Sequence, residues 1–229
     1  MKISVVVPAY NEEKYIRKCL QSLIDQEEKP DEIIVVDNNC KDKTVEICKN
    51  FPVRIVREKK LGIIAARNKG FNSALYNIIA RCDADSIASP DWTKKIKENF
   101  KTNSIVALSG PVKFYDFPLK STMLSNGYST VVKRIYKNHV LIGANMALRK
   151  SAWEKIRNEA AAKDSHVHED VDITMLAGKV GNIGFDKKMI MLTSARRMKK
   201  RPHSFFVQYP VRLLKTYRRH SKISKSVIK

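Results

Sequence analysis

The chain reads as an α/β protein built on a doubly wound, mainly parallel sheet. Three observations predict this. Strand-like and helix-like segments alternate regularly from residue 3 to residue 108. The strand-like segments are near-continuous apolar runs, as strands covered on both faces must be. Polar residues collect just after those runs, where open α/β sheets bind ligands.

Residues 3–7 (ISVVV) form the first such run and stop at Pro8. A helix follows, with Asn11 as its expected cap, Glu12 and Glu13 in its first turn, and Ile16, Cys19, Leu20, Leu23 and Ile24 along one face. Residues 32–36 are a second buried strand that stops at Asp37. The spacing then predicts a helix over 42–51, a strand over 53–56, a helix over 61–75 entered through Gly62, and a strand over 77–82 ending at Asp83. Ser89-Pro90 offers a cap and first helical position for a helix with Trp92, Ile96 and Phe100 on one side. A strand over 105–108 completes the alternation, which makes a parallel sheet the natural reading. After Pro111 the pattern loosens. Residues 121–137 read as helical, 146–149 as a strand, 151–157 as a helix capped by Ser151, and 158–170 as a polar loop.

The 229 residues fit one large domain with a short appendage. The formal charge is +21, and it is uneven: eight Lys, six Arg and no acidic residue lie between 187 and 229. The charge bias therefore belongs to a tail, so we divide the chain into a main domain at 1–200 and a basic amphipathic tail at 201–229. Cys19, Cys40, Cys48 and Cys82 have no metal-finger spacing and read as reduced thiols. The N-terminal apolar run is too short for a signal peptide and no stretch is long enough to span a membrane. These features predict a cytoplasmic protein, soluble or peripheral on the inner face of the membrane.

No GxGxxG follows the first strand and no Walker-type loop occurs. If a phosphate binds, another device must neutralise it. Asp83-Ala84-Asp85 is the candidate: two carboxylates at i and i+2 on a strand end can hold a hard divalent cation, Mn²⁺ or Mg²⁺, together with substrate phosphates. The bland reading of the same residues is a loop of solvated aspartates or an Asx-turn.

VVPAYNEE, the strand into Asp37-Asn38-Asn39, the Gly62…Arg67-Asn68…Gly70 segment, Cys82-Asp83-Ala84-Asp85 and His168-Glu169-Asp170 together resemble the ordered motifs of family 2 inverting glycosyltransferases. The resemblance runs from about residue 3 to 186 and implies the GT-A fold. It implies that Pro8, Ala9, Tyr10 and Glu12 line the nucleotide, with Asp37 and Asn38 after the second strand and Arg67 near the diphosphate. Asp83, Ala84 and Asp85 match the DxD motif, with Asp83 near the ribose and Asp85 on the metal. Gly143-Ala144-Asn145 matches a segment close to the donor sugar and acceptor. Asp170 matches the general base that deprotonates the acceptor hydroxyl, and Glu169 beside it positions the acceptor or holds a loop. Both acids could instead cap the helix that starts near Val171. The second member of the acidic pair is often Asp and is Asn38 here; Cys40 stands where Ser is common. His166 and His168, two apart, could suggest a metal site, but with no further ligands in view they read as loop residues beside the general base. His203 reads as a surface residue, or as one that closes over the diphosphate or completes the metal shell.

The implied donor is a nucleoside-diphosphate sugar, UDP-sugar favoured over GDP- or dTDP-sugar, and the implied acceptor a glycan or lipid-linked hydroxyl. Ser194-Ala195-Arg196-Arg197 resembles a segment of some family members whose arginines face the diphosphate or an anionic acceptor. Beyond it, Pro210 opens a helix with Leu213, Leu214 and Tyr217 on one side and Arg212, Lys215, Arg218 and Arg219 on the other. That pattern suits an anionic membrane surface, and equally a helix that packs its apolar stripe on the domain. Two other classes stand against the transferase. A nucleic-acid-binding protein would use the basic tail, but no recognition motif is present, so no specific nucleic acid is expected. A nucleotidyltransferase would share the sheet but needs an early glycine-rich loop that PAYNEE does not provide.

Overall fold

The computed structural model describes residues 1–117, 139–160, 167–200 and 209–226. The helix expected over 121–137, together with His166 and His203, lies outside them. The described elements are β1 (Ile3–Ala9), α1 (Ile16–Ile24), β2 (Glu32–Asp37), α2 (Thr44–Cys48), β3 (Arg54–Arg57), α3 (Ile63–Ser73), β4 (Ile78–Arg81), β5 (Ile87–Ala88), α4 (Trp92–Asn99) and β6 (Ala107–Ser109). They continue with β7 (Val112–Phe114), β8 (Met146–Arg149), α5 (Lys150–Ile156), α6 (Glu169–Val180), β9 (Ile183–Phe185), β10 (Met191–Thr193), α7 (Arg196–Lys200) and α8 (Tyr209–Ser226).

A 7-stranded sheet runs in the order β3-β2-β1-β4-β8-β6-β9, and a 3-stranded sheet in the order β5-β10-β7. All pairings in the large sheet are parallel except those of β8, which is antiparallel to both β4 and β6. The sheet separates two cores, which is why its strands are apolar on both sides. Val5 and Val7 of β1 meet Ile16, Leu20 and Leu23 of α1 and Trp92 and Ile96 of α4. Val6, on the other face, meets Phe71 of α3, Trp153 of α5 and Ile173 and Leu176 of α6. Each fully buried Val, Ile or Leu of this kind contributes about 1.5–3 kcal/mol. All four cysteines are free thiols, with Cys19, Cys48 and Cys82 buried.

Several local expectations are corrected. β1 does not stop at Pro8 but runs through it to Ala9. The Val6 carbonyl accepts Cys82 N–H on the β4 side and the Ala9 carbonyl accepts Asn38 N–H on the β2 side. Pro8 therefore faces the β4 side, past the last β1–β4 pair at Val6 and Arg81, and its missing N–H costs no ladder bond there. Asn11 is not the cap of α1. It adopts a left-handed φ of 55°, its side-chain oxygen accepts Lys41 N–H at 2.8 Å, and α1 begins only at Ile16 with no side-chain cap. Residues 12–15 are used instead in a turn in which the Glu12 carbonyl accepts from both Tyr15 and Ile16. Ser89 does not cap α4: Asp91 precedes that helix, the Ser89 hydroxyl donates to the Asp91 carboxylate at 3.0 Å, and the Ser89 carbonyl accepts Trp92 N–H. Ser151 lies within α5, which follows β8 without a loop. β6 covers Ala107–Ser109 rather than 105–108, and β4 ends one residue before Cys82.

Candidate active site

The parallel strands β1, β2 and β4 end at one edge of the sheet and deliver Tyr10–Glu12, Asp37–Asn39 and Asp83–Asp85 to it. Because β8 is antiparallel, with Met146 opposite Arg81, the loop that leads into it at 142–145 reaches the same edge. The first turn of α6 arrives there as well, through the ion pairs of Glu169. This convergence is the site.

Its centre is a buried cluster of two arginines and two acids. Arg81 and Arg67 are almost wholly buried, and both turn to Glu169: Arg81 Nη1 donates to Oε1 at 2.7 Å, and Arg67 Nη1 to Oε2 at 2.9 Å. Burial alone would raise the Glu169 pKa, but the two guanidinium groups outweigh it and hold the carboxyl well below its usual range. Asp170 has the opposite outcome. Burial, reinforced by the Glu169 charge, pushes its carboxyl up to about 8. Its Oδ2 accepts Gly143 N–H at 2.9 Å, while Oδ1 lies 3.9 Å from Arg81 Nη1 with no hydrogen-bond partner among the described residues. The side chain as a whole keeps 20% of its surface exposed, while Oδ1 itself is shielded. Two adjacent acids are thus driven apart in proton affinity, one fixed as an anion and one poised to exchange a proton near neutral pH. Gly143 is required for this contact: a Cβ there would stand 2.6 Å from Asp170 Oδ1 and 3.1 Å from the Arg81 guanidinium carbon.

The second feature is a rim of carboxylates. Arg81 Nη2 donates to Asp83 Oδ1 at 3.1 Å, so one guanidinium joins the DxD segment to the α6 acids. Asp85 accepts from Thr193 Oγ1 at 3.2 Å and from Arg196 Nε at 2.9 Å. Arg196 also bonds Glu12 and lies over the Tyr15 ring at 4.5 Å. Burial raises the Glu12 pKa against the pull of Arg196, with the charges of Asp85 and Asp83 adding to it. Arg196 is presented by Asp116 at the end of β7, which accepts Ala195 N–H at 2.6 Å and Ser194 Oγ at 2.8 Å. The cavity beside this rim, about 440 Å³, is lined by Asn11, Tyr15, Lys41, Asp42 and Arg196 among others.

Not every expected residue faces the cleft. Tyr10 is 48% exposed just past the end of β1, while Pro8 and Ala9 are buried within it. Ala84 packs into the core, so of the DxD triplet only the two carboxylates point outward. Asp37 is partly buried and caps a turn by accepting Cys40 N–H at 2.8 Å. Asn38 is buried and saturated: its amide donates to the carbonyls of Glu58 and Lys60, and its oxygen accepts Gly62 N–H at 2.8 Å. It shapes the loop into α3. Asn145 is likewise engaged within the fold, donating to Pro111 and Met189 carbonyls and accepting Trp92 Nε1–H at 2.8 Å. Arg67 is fully buried against Glu169 and Asn68. Glu169 has both oxygens held by arginines. Arg81, Gly143 and Asp116 were not singled out from the sequence for these contacts. The clue for Arg81 was a cation inside an otherwise apolar strand.

An open α/β sheet with a carboxylate pair after β4 and a buried acid pair on α6 has the architecture of the GT-A class. The glycosyl transferase family 2 model matches residues 4–157, and the chain belongs to that family of glycosyltransferases. Glycosyltransferase GlyA of Streptococcus pneumoniae is 38% identical over 100 residues, which are 42% of this chain and 14% of that protein. S. aureus TarS 1–349, solved in complex with UDP-GlcNAc, matches with a TM-score of 0.67 at 21% identity over 85% of this chain and 58% of its own. The mannosyltransferase PcManGT from Pyrobaculum calidifontis, solved with GDP-Man and Mn²⁺, matches with a TM-score of 0.66 at 17% identity over 88% of this chain and 61% of its own. The chain therefore spans only part of the length of the proteins it matches.

Removing one arginine from the central cluster should be costly. Arg81→Met keeps much of the side-chain volume but leaves Glu169 and Asp83 short of a partner, and stability should fall by about 3 kcal/mol or more. Urea unfolding measures it; a loss under about 1 kcal/mol would mean that water, not Arg81, compensates these acids.

Proposed function

We propose that the chain carries the catalytic domain of an inverting, metal-assisted transferase that moves a sugar from a nucleoside-diphosphate sugar to an acceptor hydroxyl. The observation that carries this reading is Asp170, an acid of raised pKa with a partly exposed side chain at the same sheet edge as Asp83 and Asp85. Solved relatives in fold hold UDP-GlcNAc and GDP-Man, and UDP-sugar is the favoured donor here. Tyr10 lies against the base, with the backbone of Pro8 and Ala9 and the Asp37 carboxylate closing that end.

The donor set suits a hard cation. Among the described residues no cluster of three His, Cys, Asp or Glu side chains could hold a metal alone. Mn²⁺ or Mg²⁺ typically needs only one or two protein carboxylates when phosphate and water complete the shell. Asp85 would hold it, with Asp83 beside it, and the ion would supply Lewis-acid stabilisation of the departing diphosphate. Arg196 neutralises Asp85 and Glu12 in the donor-free site and turns to the diphosphate when the donor arrives. Asp170 takes the acceptor proton as the hydroxyl oxygen bonds to the anomeric carbon from the face opposite the diphosphate. The carbon–oxygen bond to the diphosphate breaks in the same step, its electron pair leaves with the nucleotide, and the configuration inverts. Arg81 keeps Glu169 anionic next to Asp170, which sustains the basicity that the step needs.

The acceptor reading, a glycan or lipid-linked hydroxyl near an anionic membrane surface, rests on α8. Among the described residues no helix is long and apolar enough to cross a membrane. The apolar stripe read from the sequence does not pack as a unit. Leu213 is partly buried, while Leu214 at 60% and Tyr217 at 48% exposure face outward with Val211, among the exposed Arg212, Lys215 and Arg218. Exposed apolar side chains ringed by cations fit the headgroup region of anionic lipid, at about 1 kcal/mol per basic residue.

Two measurements test these readings. A panel of nucleotide sugars, with and without Mn²⁺, should give metal-dependent binding and slow hydrolysis of one donor. Binding should be lost in Asp85→Ala, and Asp170→Asn should bind normally with turnover lowered by about 10²–10⁴-fold. A folded protein that binds no donor, or an Asp170→Asn variant with full turnover, overturns the assignment. In the second, the protein should sediment with vesicles of anionic lipid and less with vesicles of neutral lipid, and Leu214→Glu should weaken this. A protein left in the supernatant with both removes the membrane reading.

A further inference from the structure

The base-bearing turn of α6 is held from two sides. At 100° per residue, Asp170 and Asp172 point in nearly opposite directions from the helix axis. Asp170 looks to Gly143 and Arg81. Asp172 looks away from the cleft, is fully buried, and meets α8: His220 Nε2 lies 2.9 Å from its Oδ1, with His220 itself 2% exposed, and Arg219 Nη1 lies 3.7 Å away. A buried carboxylate stripped of such partners costs several kcal/mol.

A second contact reaches the turn from the same helix. The first α-helical bond of α6 runs from Asp172 N–H to the His168 carbonyl at 3.0 Å, so His168 N–H has no acceptor within the helix. Thr216 Oγ1 accepts it at 2.8 Å, and the Thr216 hydroxyl in turn donates to the Arg212 carbonyl at 2.8 Å. Thr216 is fully buried. His168 contributes no side-chain cap of its own, so the cap of this helix is supplied by α8. Leu213 packs against Val171 and Met175 between these polar contacts, and Arg219 Nη2 ties α8 to the Glu159 carbonyl at 2.7 Å.

We propose that α8 is a working part of the base site, with Thr216 and His220 as positioning residues that hold the turn carrying Asp170 from behind. The inference rests on Asp170 as the base. Thr216 and His220 grip residues 168 and 172, two positions before and two after it, so release of either lets the turn tilt. A tilt changes the 2.9 Å Gly143–Asp170 contact and the direction of the free carboxyl oxygen. A reacting group needs placement within a fraction of an ångström, and small misplacements cost large factors in rate. The tail is then not an appendage that begins at residue 201: its helix is bound into the catalytic unit.

The test uses the full chain with Thr216→Val, which keeps the shape and removes the acceptor, Thr216→Ser, which restores it, and His220→Ala. Amide hydrogen exchange is read over residues 167–176 and over β1 and β4, beside hydrolysis and equilibrium binding of the donor found in the panel. Losing one buried hydrogen bond of about 1.4 kcal/mol should speed exchange at 168–172 about tenfold. Exchange in β1 and β4 should stay unchanged, and turnover should fall about tenfold or more with donor affinity within about twofold. Thr216→Ser should recover both. Unchanged exchange at 168–172, faster exchange throughout the sheet, or faster local exchange with full turnover would each overturn the proposal. If the wild type hydrolyses no donor, the base assignment fails on its own, and the exchange result alone decides whether α8 clamps this turn.

Discussion

The structure depends on one interaction: the burial of Arg81 and Arg67 around Glu169. Guanidinium groups are costly to take out of water and stay buried only where several oxygens meet them. Arg81 meets Glu169, Asp83 and Asp170 from a strand end, and Arg67 meets Glu169 from a helix. The pairings join α6 to β4 and α3, 88 and 102 residues away in the chain, at the sheet edge that forms the candidate site. They also set the proton affinities there. The anion fixed on Glu169 is what Asp170, one residue on, must be ionised against.

The same economy governs the carboxylate rim. Glu12, Asp83 and Asp85 bring three acidic side chains to neighbouring positions, and each is partly compensated by an arginine: Glu12 and Asp85 by Arg196, Asp83 by Arg81. Such a rim is stable without a ligand yet prepared for cationic and phosphate-bearing ones, because Arg196 is a side chain able to exchange one anionic partner for another. The small sheet β5-β10-β7 gives the rim its shape, since Asp116 at the end of β7 and Thr193 at the end of β10 fix the segment that carries Arg196.

Much of this was legible in the sequence, for physical reasons that can be named. Strands buried on both faces must be continuous apolar runs, so β1, β2 and β4 and the polar residues at their ends could be read directly. Asp83 and Asp85 stand out as paired carboxylates at a strand end, and Asp170 through its resemblance to a family pattern. What could not be read was the partner of each polar group. Asn38, Asn145 and Arg67 resemble ligand-binding residues by type, but in the fold Asn38 bonds the Glu58 and Lys60 carbonyls, Asn145 bonds Trp92 and the Pro111 and Met189 carbonyls, and Arg67 bonds Asn68 and Glu169. β7, β9 and β10, at three residues each, are too short for periodicity to register. The buried face of α8 was not legible as an apolar stripe because polar Thr216 and His220, rather than Leu214 and Tyr217, make it; apolar count predicts packing only where polar side chains find no buried partner.

Burial, reinforced by the Glu169 anion that the two arginines fix, raises the proton affinity of Asp170 into the range of a working base against the direct pull of Arg81. The most direct measurement is a carbon-13 NMR titration of the Asp170 carboxyl in the donor-free protein, assigned with Asp170→Asn. A midpoint at about 8 is expected. A midpoint near the ordinary aspartate value of about 3.9 would contradict it, because Asp170 would then be a plain exposed carboxylate and the cluster would have no part in making it a base.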